Sequence, residues 1–308
     1  MSRSVKRAGI SLAAVAVLVA GASACQSGGD SKKGAQEPSP KAARTALQAA
    51  YKKTSAAKSA RFTMKMSIPS GTQVAPGVVG GDMEMSGVQS WDPAAMDMTM
   101  GGPALTQTEP GLLNKIHVVQ LDNVMYMDMG AAVAKEMDGK HWMKMDLGAM
   151  AAAGGATQGA TTTLAGGAQK QDPAQQLALL TSSPNVKHLG TEQIDGAPAE
   201  HYKGTLSIDE MAAGNQTLDG MSAQDRQKLI DTAKKGGITG YDTELWINKD
   251  GYPVQTNVGI DVPMGRMTMK AHYSDYGAKV AVSAPSENEM FDFADMMKGA
   301  GAGAGKSA

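Results

Sequence analysis

Sulfur is the chemistry that stands out in this 308-residue chain, which carries 23 methionines and one cysteine, Cys25, against only 4% aromatic residues. The methionines recur two apart: Met64/Met66, Met83/Met85, Met96/Met98/Met100, Met125/Met127/Met129, Met143/Met145 and Met267/Met269. A thioether has three uses in such a pattern. It fills irregular core space, because the side chain is unbranched and polarizable. For the same reason it can line a cavity that accepts acyl chains of varied shape. It also ligates soft ions such as Cu(I), with His117 or His141 near enough in sequence to join. Against copper, a strand's alternation already explains the spacing, and no His/Met cluster marks a terminus or loop. The three readings stay open at this point.

A spacing of two is the period of a β-strand, so each pair turns its sulfurs to one face. Lys65, Glu84, Asp97, Thr99, Asp128, Lys144 and Thr268 then turn to the other. The expected strands are 61–68, 78–88, 95–100, 115–121, 123–129 and 140–146, followed by 186–196, 199–208, 241–248, 253–262 and 265–273. Val280 to Val282 is expected to be a last short strand. Asp122–Asn123, Asp195–Gly196 and Lys249–Asp250–Gly251 supply hairpin turns. Residues 41–58, 173–180 and 222–235 read as helices, the first opened by Pro40. Residues 148–171 are Gly, Ala, Thr and Gln, and read as a low-complexity insertion. Strands followed by inserted helices and more strands give an α+β fold with one large antiparallel sheet, partly covered by helices.

The N-terminus is a targeting segment. Arg3, Lys6 and Arg7 precede an apolar run, Ile10 to Ala20, which is shorter than the roughly 20 residues a spanning helix needs. Small residues lead from Gly21 to Ala24 and into Cys25. This pattern resembles a bacterial lipobox, with Ala22 where Leu is usual. The resemblance implies that the Cys25 thiol receives a diacylglyceryl group and that residues 1–24 are removed as a signal peptide. An ordinary secretory cleavage after Ala24 is the simpler alternative, but it leaves an unpaired thiol in an oxidising compartment. Residues 25–40 read as the lipidated cysteine and a flexible tether, 41–297 as the folded domain, and 298–308 as a disordered tail.

Loss of Arg3, Lys6 and Arg7 takes the 29 basic residues to 26, against 30 acidic ones, a net charge of −4. With no basic stripe to neutralise phosphates, a nucleic-acid partner is not expected. No Gly-x-Ser-x-Gly, His-Glu-x-x-His, cysteine pair or phosphate loop occurs. The five histidines (His117, His141, His188, His201, His272) are widely spaced and read as polar neighbours on strands. Trp142, Trp246 and Tyr202 read as core anchors, and Asp209/Glu210 as a helix start. No enzyme, cofactor or metal site is expected.

Several phrases resemble the actinobacterial LppX/LprG-type lipoproteins, whose fold is shared with the LolA and LolB carriers. They are "KSARFTMKM", "NVMYMDM" before "GKHWMKMDL", "VKHLGTEQIDGAPAEHYKGTLSI", "YDTELWINKDGYPVQTNV" and "MTMKAHYSDYGAKVAVSAP". These are hairpin and strand-end signatures. The resemblance implies a half-barrel of about eleven antiparallel strands, a large curved sheet wrapped around helices, with an apolar cavity on its concave side. It also implies a lipid or acylated glycolipid as ligand, membrane attachment through Cys25, and an envelope transporter as partner in carriage. The candidate cavity residues are Met64, Met66, Met83, Met85, Met96, Met98, Met125, Met127, Met143, Met145, Met267 and Met269. The 148–171 insertion and the methionine content depart from the family pattern. A copper-binding lipoprotein, or a structural or signalling surface domain with a filled core, are the alternatives.

Overall fold

The computed structural model describes residues 39–75, 78–106, 115–152, 173–210 and 223–296. The expected signal peptide, Cys25 and nearly all of its tether, most of the low-complexity insertion and the tail lie outside them.

Helix α1, Pro40–Ala57, starts where the sequence places it. The Ser39 hydroxyl accepts a hydrogen bond from the Ala42 N–H at 3.4 Å, and proline occupies the first turn, where its missing N–H costs nothing. Ala43, Leu47, Ala50 and Thr54 form its buried stripe, and Lys58 ends it in the left-handed conformation. The chain then lays down β1 (Ser59–Ala75), β2 (Val78–Trp91) and β3 (Ala94–Gly101), the short helix α2 (Pro103–Thr106), then β4 (Lys115–Leu121) and β5 (Val124–Asp128). Helix α3 (Gly130–Glu136), β6 (Trp142–Asp146) and α4 (Leu147–Ala152) follow. After α5 (Pro173–Ser182) come β7 (Lys187–Ile194), β8 (Ala197–Ser207), α6 (Ala223–Lys235), β9 (Gly240–Asn248), β10 (Pro253–Val262), β11 (Gly265–Ser274) and β12 (Met290–Asp292).

The twelve strands of the described residues form one open sheet in the order β12-β6-β5-β4-β3-β2-β1-β11-β10-β9-β8-β7. Eleven run antiparallel to their neighbours, and β12 pairs in parallel with β6. The fold is therefore α+β, a large curved sheet that does not close into a barrel.

Two expectations are corrected. Val280 to Val282 is not a strand. It follows a segment that runs beside the start of β1, where the Gly277 N–H donates to the Ser59 carbonyl at 3.0 Å and the Ser59 hydroxyl donates to the Ala278 carbonyl at 2.6 Å. β2 pairs with β1 from Ser59 and β11 from Arg61, so only the Ser59 end of β1 is open on the β11 side, and residues 277 and 278 take it before the chain reaches Val280. The last strand is instead Met290–Asp292. The expected insertion at 148–171 also begins inside a helix: the Asp146 carboxylate accepts from the Ala149 N–H at 2.9 Å and caps α4.

Turn chemistry follows the sequence closely. Asp195 and Gly196, with φ of 51° and 79°, join β7 to β8. The β9–β10 turn is held by the Asn248 side-chain oxygen, which accepts from the N–H groups of Asp250 and Tyr252, both at 3.0 Å. Gly87 answers a different demand. A Cβ there would stand 2.2 Å from the Asp97 carbonyl oxygen and 2.7 Å from the Met98 Cα, so only glycine lets β2 and β3 approach at that rung.

The apolar side of the sheet divides into two cores. One lies under helices: Ala43, Leu47 and Ala50 of α1 and Leu177 and Leu180 of α5 pack with Val186, Tyr202, Leu245 and Ile247. The other is built on β1–β5 and β11, and methionine dominates it.

Candidate ligand-binding face

Strand register decides which methionines meet. Met64 stands opposite Met85, and Met85 opposite Met100, on three adjoining strands. In the next rung Met83, Met66 and Met269 lie side by side across β2, β1 and β11. A third rung runs Phe62, Gly87, Met98, Val118, Met127 and Met143. A fourth runs Gln89, Met96, Gln120, Met125 and Met145. Met267 pairs with Ile260 of β10. Directly opposed side chains on one face have Cβ atoms about 5 Å apart, so the thioethers touch across strands.

Ten of the twelve candidate methionines fall in one apolar cluster with Phe62, Ile68, Val118, Ala271 and Tyr273. Its centre is buried: Met64 is 3% exposed, Met83 4%, Met85 8%, and Met96 and Met98 6% each. Met66, Met125, Met127, Met267 and Met269 are half-buried around it. The remaining two, Met143 and Met145 on β6, continue the rungs but fall outside the cluster. Among the described residues, no side chain of α1 or α5 belongs to it. Ala104 and Leu105 of α2 do.

Sequence parity missed three polar residues on this side of the sheet. Gln89 and Gln120 are buried at 7% and 4% exposure, and Thr256 at 1%. Their position two residues from Gly87 and Val118, and two from Val258, was the available signal. The Gln120 side-chain amide donates to the Asp122 carbonyl at 3.0 Å.

The opposite face is laced with ion pairs, with Val119, Tyr126 and Trp246 buried among its polar residues. Lys65 and Asp82 meet at 2.9 Å, and the Ser67 hydroxyl donates to Asp82 at 2.7 Å. The Ser67 hydrogen bond, then the Lys65 ammonium, hold the Asp82 carboxyl below its ordinary range, and Asp82 in turn raises Lys65. Arg266 lies across Gly259 and bridges Asp242 and Asp261. Arg61, Thr63, Ser86, Asp97 and Thr99 border an open depression of about 440 Å³ on this side.

Each of the five histidines is engaged by a carboxylate: His117 with Asp97, His141 with Asp128, His188 with Glu200, His201 with Glu192 and His272 with Asp195, at 2.8, 2.9, 2.5, 2.8 and 3.6 Å. His117 and His141 are thus held by acids of the polar face. Among the described residues no group of three or more His, Cys, Asp or Glu side chains could hold a metal ion. Asp209 pairs with Lys234, while Glu210 accepts from the Ser207 N–H and hydroxyl.

His201 and Trp246 stack at 4.1 Å, and both donate to Glu192. The Trp246 indole, then His201, hold the Glu192 carboxyl below the ordinary carboxylate range. A depressed carboxylate contributes stability above its unfolded pKa and loses it as pH falls through the folded one. The stability advantage of the native protein over Glu192→Gln is therefore expected to be full at pH 7, to begin to shrink as the pH falls past about 4.5, the ordinary value, and to be lost only below the lower pKa of the folded state. Urea midpoints measured for both proteins between pH 3 and 7 check this; a difference that does not narrow in acid removes the ionic role of Glu192.

The geometry defines an α+β domain on an open curved sheet, one half of its apolar side under helices and the other methionine-rich. Actinobacterial chains resemble it. An uncharacterized 31.2 kDa protein of Streptomyces griseus is 30% identical over 177 residues, 58% of this chain and 56% of that protein. A Streptomyces coelicolor protein, described as an inferred lipoprotein, is 25% identical over 229 residues, 71% of this chain and 67% of that one. The chain thus spans little more than half the length of the first relative. Among solved structures, lipoprotein LppX of Mycobacterium tuberculosis is similar over 79% of this chain and 99% of its own, with a TM-score of 0.46 and 14% identity. LprF of Mycobacterium bovis is similar over 82% and 100%, with a TM-score of 0.42 and 15% identity. No family model matches the chain. Among the described residues no helix is long and apolar enough to cross a membrane.

Proposed function

We propose that this protein is a lipoprotein anchored by Cys25 to the outer face of a membrane, and that it binds an amphiphile with its acyl chains against the methionine-rich half of the sheet. It acts by binding, without catalysis. The observation that carries the reading is the division of the apolar side. The packed helices α1 and α5 close one half with branched aliphatic residues, whereas the other half is laid out in thioether rungs with half-buried Met66, Met125, Met127, Met267 and Met269 at its margin. Strand faces ordinarily favour β-branched and aromatic side chains. Methionine in their place gives an adaptable surface that accommodates flexible chains. Burial of acyl chains drives binding at roughly 25 cal/mol per Å² removed from water. The N-terminal pattern and the inferred lipoprotein character of the Streptomyces coelicolor relative support the anchor.

The test is native mass spectrometry and solvent extraction of protein purified without detergent, together with titration of a fluorescent phospholipid. A co-purified lipid and saturable binding are expected. A protein that carries no lipid and binds no fluorescent one is not a lipid holder.

One observation favours a second reading. The in-register triads Met64/Met85/Met100 and Met83/Met66/Met269 could present three sulfurs to a soft ion such as Cu(I). Anaerobic Cu(I) titration of protein with methionine replaced by norleucine separates the two, since norleucine keeps the apolar shape and removes the sulfur. Lipid binding that survives the replacement, with no Cu(I) binding beforehand, leaves the lipid reading alone.

A further inference from the structure

Where the two cores meet, the sheet and helix α5 carry buried polar atoms without a partner among the described residues. One rung runs Tyr202, Leu245, Thr256, Ala271 and Met64, from the helix-covered core into the methionine-rich one. Thr256 is the polar member at the junction. It is 1% exposed, and its hydroxyl has no hydrogen-bond partner. From the helix side, Gln176 of α5 reaches to β11, where its amide nitrogen donates to the Tyr273 hydroxyl at 3.2 Å. Gln176 is 8% exposed, and its Oε1 has no partner. Tyr273 lies two residues beyond Ala271 on the same face of β11, and Ala271 is the register partner of Thr256. Thr256 is therefore a diagonal neighbour of Tyr273, whose hydroxyl holds Gln176, and the two orphan oxygens belong to the same side of β10 and β11.

An unpaired buried polar atom is costly, and native chains leave few of them. Removing the cost would have been simple, because valine at 256 or leucine at 176 fits an apolar core. The atoms left over also specify what would satisfy them. Gln176 Oε1 is an acceptor in need of a donor, and the Thr256 hydroxyl can donate and accept. A ligand hydroxyl does both, and it serves either orientation of the Gln176 amide. The side chains of the seam, Gln176, Thr256, Tyr273 and Ala271, carry no charge, so an ionised phosphate there would lie unneutralised.

We propose that this seam is the polar subsite of the bound amphiphile, and that Gln176 and Thr256 select ligands bearing a free, uncharged hydroxyl close to their acyl chains. The inference rests on the lipid reading and narrows it from lipids in general to neutral hydroxylated ones.

The test compares 1,2-dioleoylglycerol with its 3-O-acetyl derivative, which has the same acyl chains and no hydroxyl. Both are delivered from cyclodextrin to the mature protein, to Thr256→Val and to Gln176→Leu. The native protein is expected to bind the free alcohol about tenfold more tightly, the ratio given by roughly 1.4 kcal/mol at 25 °C. Either variant should bind both lipids equally, at the affinity the native protein shows for the acetate. Ligand-free Thr256→Val should also melt at a higher temperature than the native protein, whereas a threonine kept for internal structure would melt lower on replacement. Equal binding of the two lipids by the native protein, or a preference that survives in both variants, overturns the subsite and leaves the lipid reading standing. Failure of the native protein to bind either lipid overturns the lipid reading itself.

Discussion

Exchange of Cys25 for serine is expected to move the protein from the membrane fraction to the soluble fraction of the cell envelope. Each acyl CH₂ buried in a bilayer is worth about 0.8 kcal/mol, so two chains of ordinary length anchor a protein stably, while one chain holds it only marginally and reversibly. Residues 26–40 are polar and have no apolar periodicity, and among the described residues no helix is long and apolar enough to cross a membrane, so the prediction rests on the lipid proposed for Cys25. Fractionation followed by immunoblotting, with metabolic labelling by an alkyne fatty acid, checks the result. Serine at position 25 should abolish the label and the membrane signal together. A variant that stays at the membrane without label would move the attachment to another part of the chain.

The two cores should respond in opposite ways to substitution. Leu177→Ala removes a fully buried side chain from between α1, α5 and the sheet, and should cost about 3 kcal/mol of stability, the usual range for such a cavity. Its lipid affinity, measured where the protein is still folded, should change little. The paired change Met66→Asn with Met269→Asn alters two half-buried thioethers that face each other across β1 and β11. If the ligand covers roughly 50 Å² of each, at ~25 cal/mol per Å², about 2.5 kcal/mol of binding is lost, a weakening on the order of 50-fold. The loss of folding stability should be smaller than for Leu177→Ala, because these side chains are already partly in water. Urea unfolding beside fluorescent-lipid titration reads both quantities. Equal stability losses with unchanged affinity would make the methionine half an ordinary core.

Much of this was legible in the sequence because parity is local. The alternation of Met64/Met66, Met83/Met85 and Met96/Met98 fixes which side each residue takes, and the turns at Asp195–Gly196 and Lys249–Asp250–Gly251 fix which strands become neighbours. Sheet order is not local. Nothing between residues 61 and 68 says that β1 will have β11 on one side and β2 on the other, an arrangement that leaves only its Ser59 end open for the segment that precedes Val280. The division of the apolar side was hidden for the same reason. α1 and α5 are amphipathic in the sequence, but which strands they cover depends on the assembled sheet. Gln176 and Thr256 look like ordinary polar residues of a helix and a strand, and only the packed chain shows them buried with atoms to spare.

The pairing of β1 with β11 has a consequence for how the chain acquires its shape. Arg61 and Asp275, 214 residues apart, meet across that rung, and the strand that opens the sheet therefore waits for one near the far end. Contacts so distant along the chain are slow to form and cannot be rewarded until the intervening loop has closed. Under the proposed export, in which the polypeptide crosses a translocation channel as an extended thread, this delay is useful. The meanders β1–β6 and β7–β11 each pair neighbours in sequence, but the seam that joins them, β1 with β11, cannot close until the C-terminal strand has been made, so the two halves of the sheet unite last.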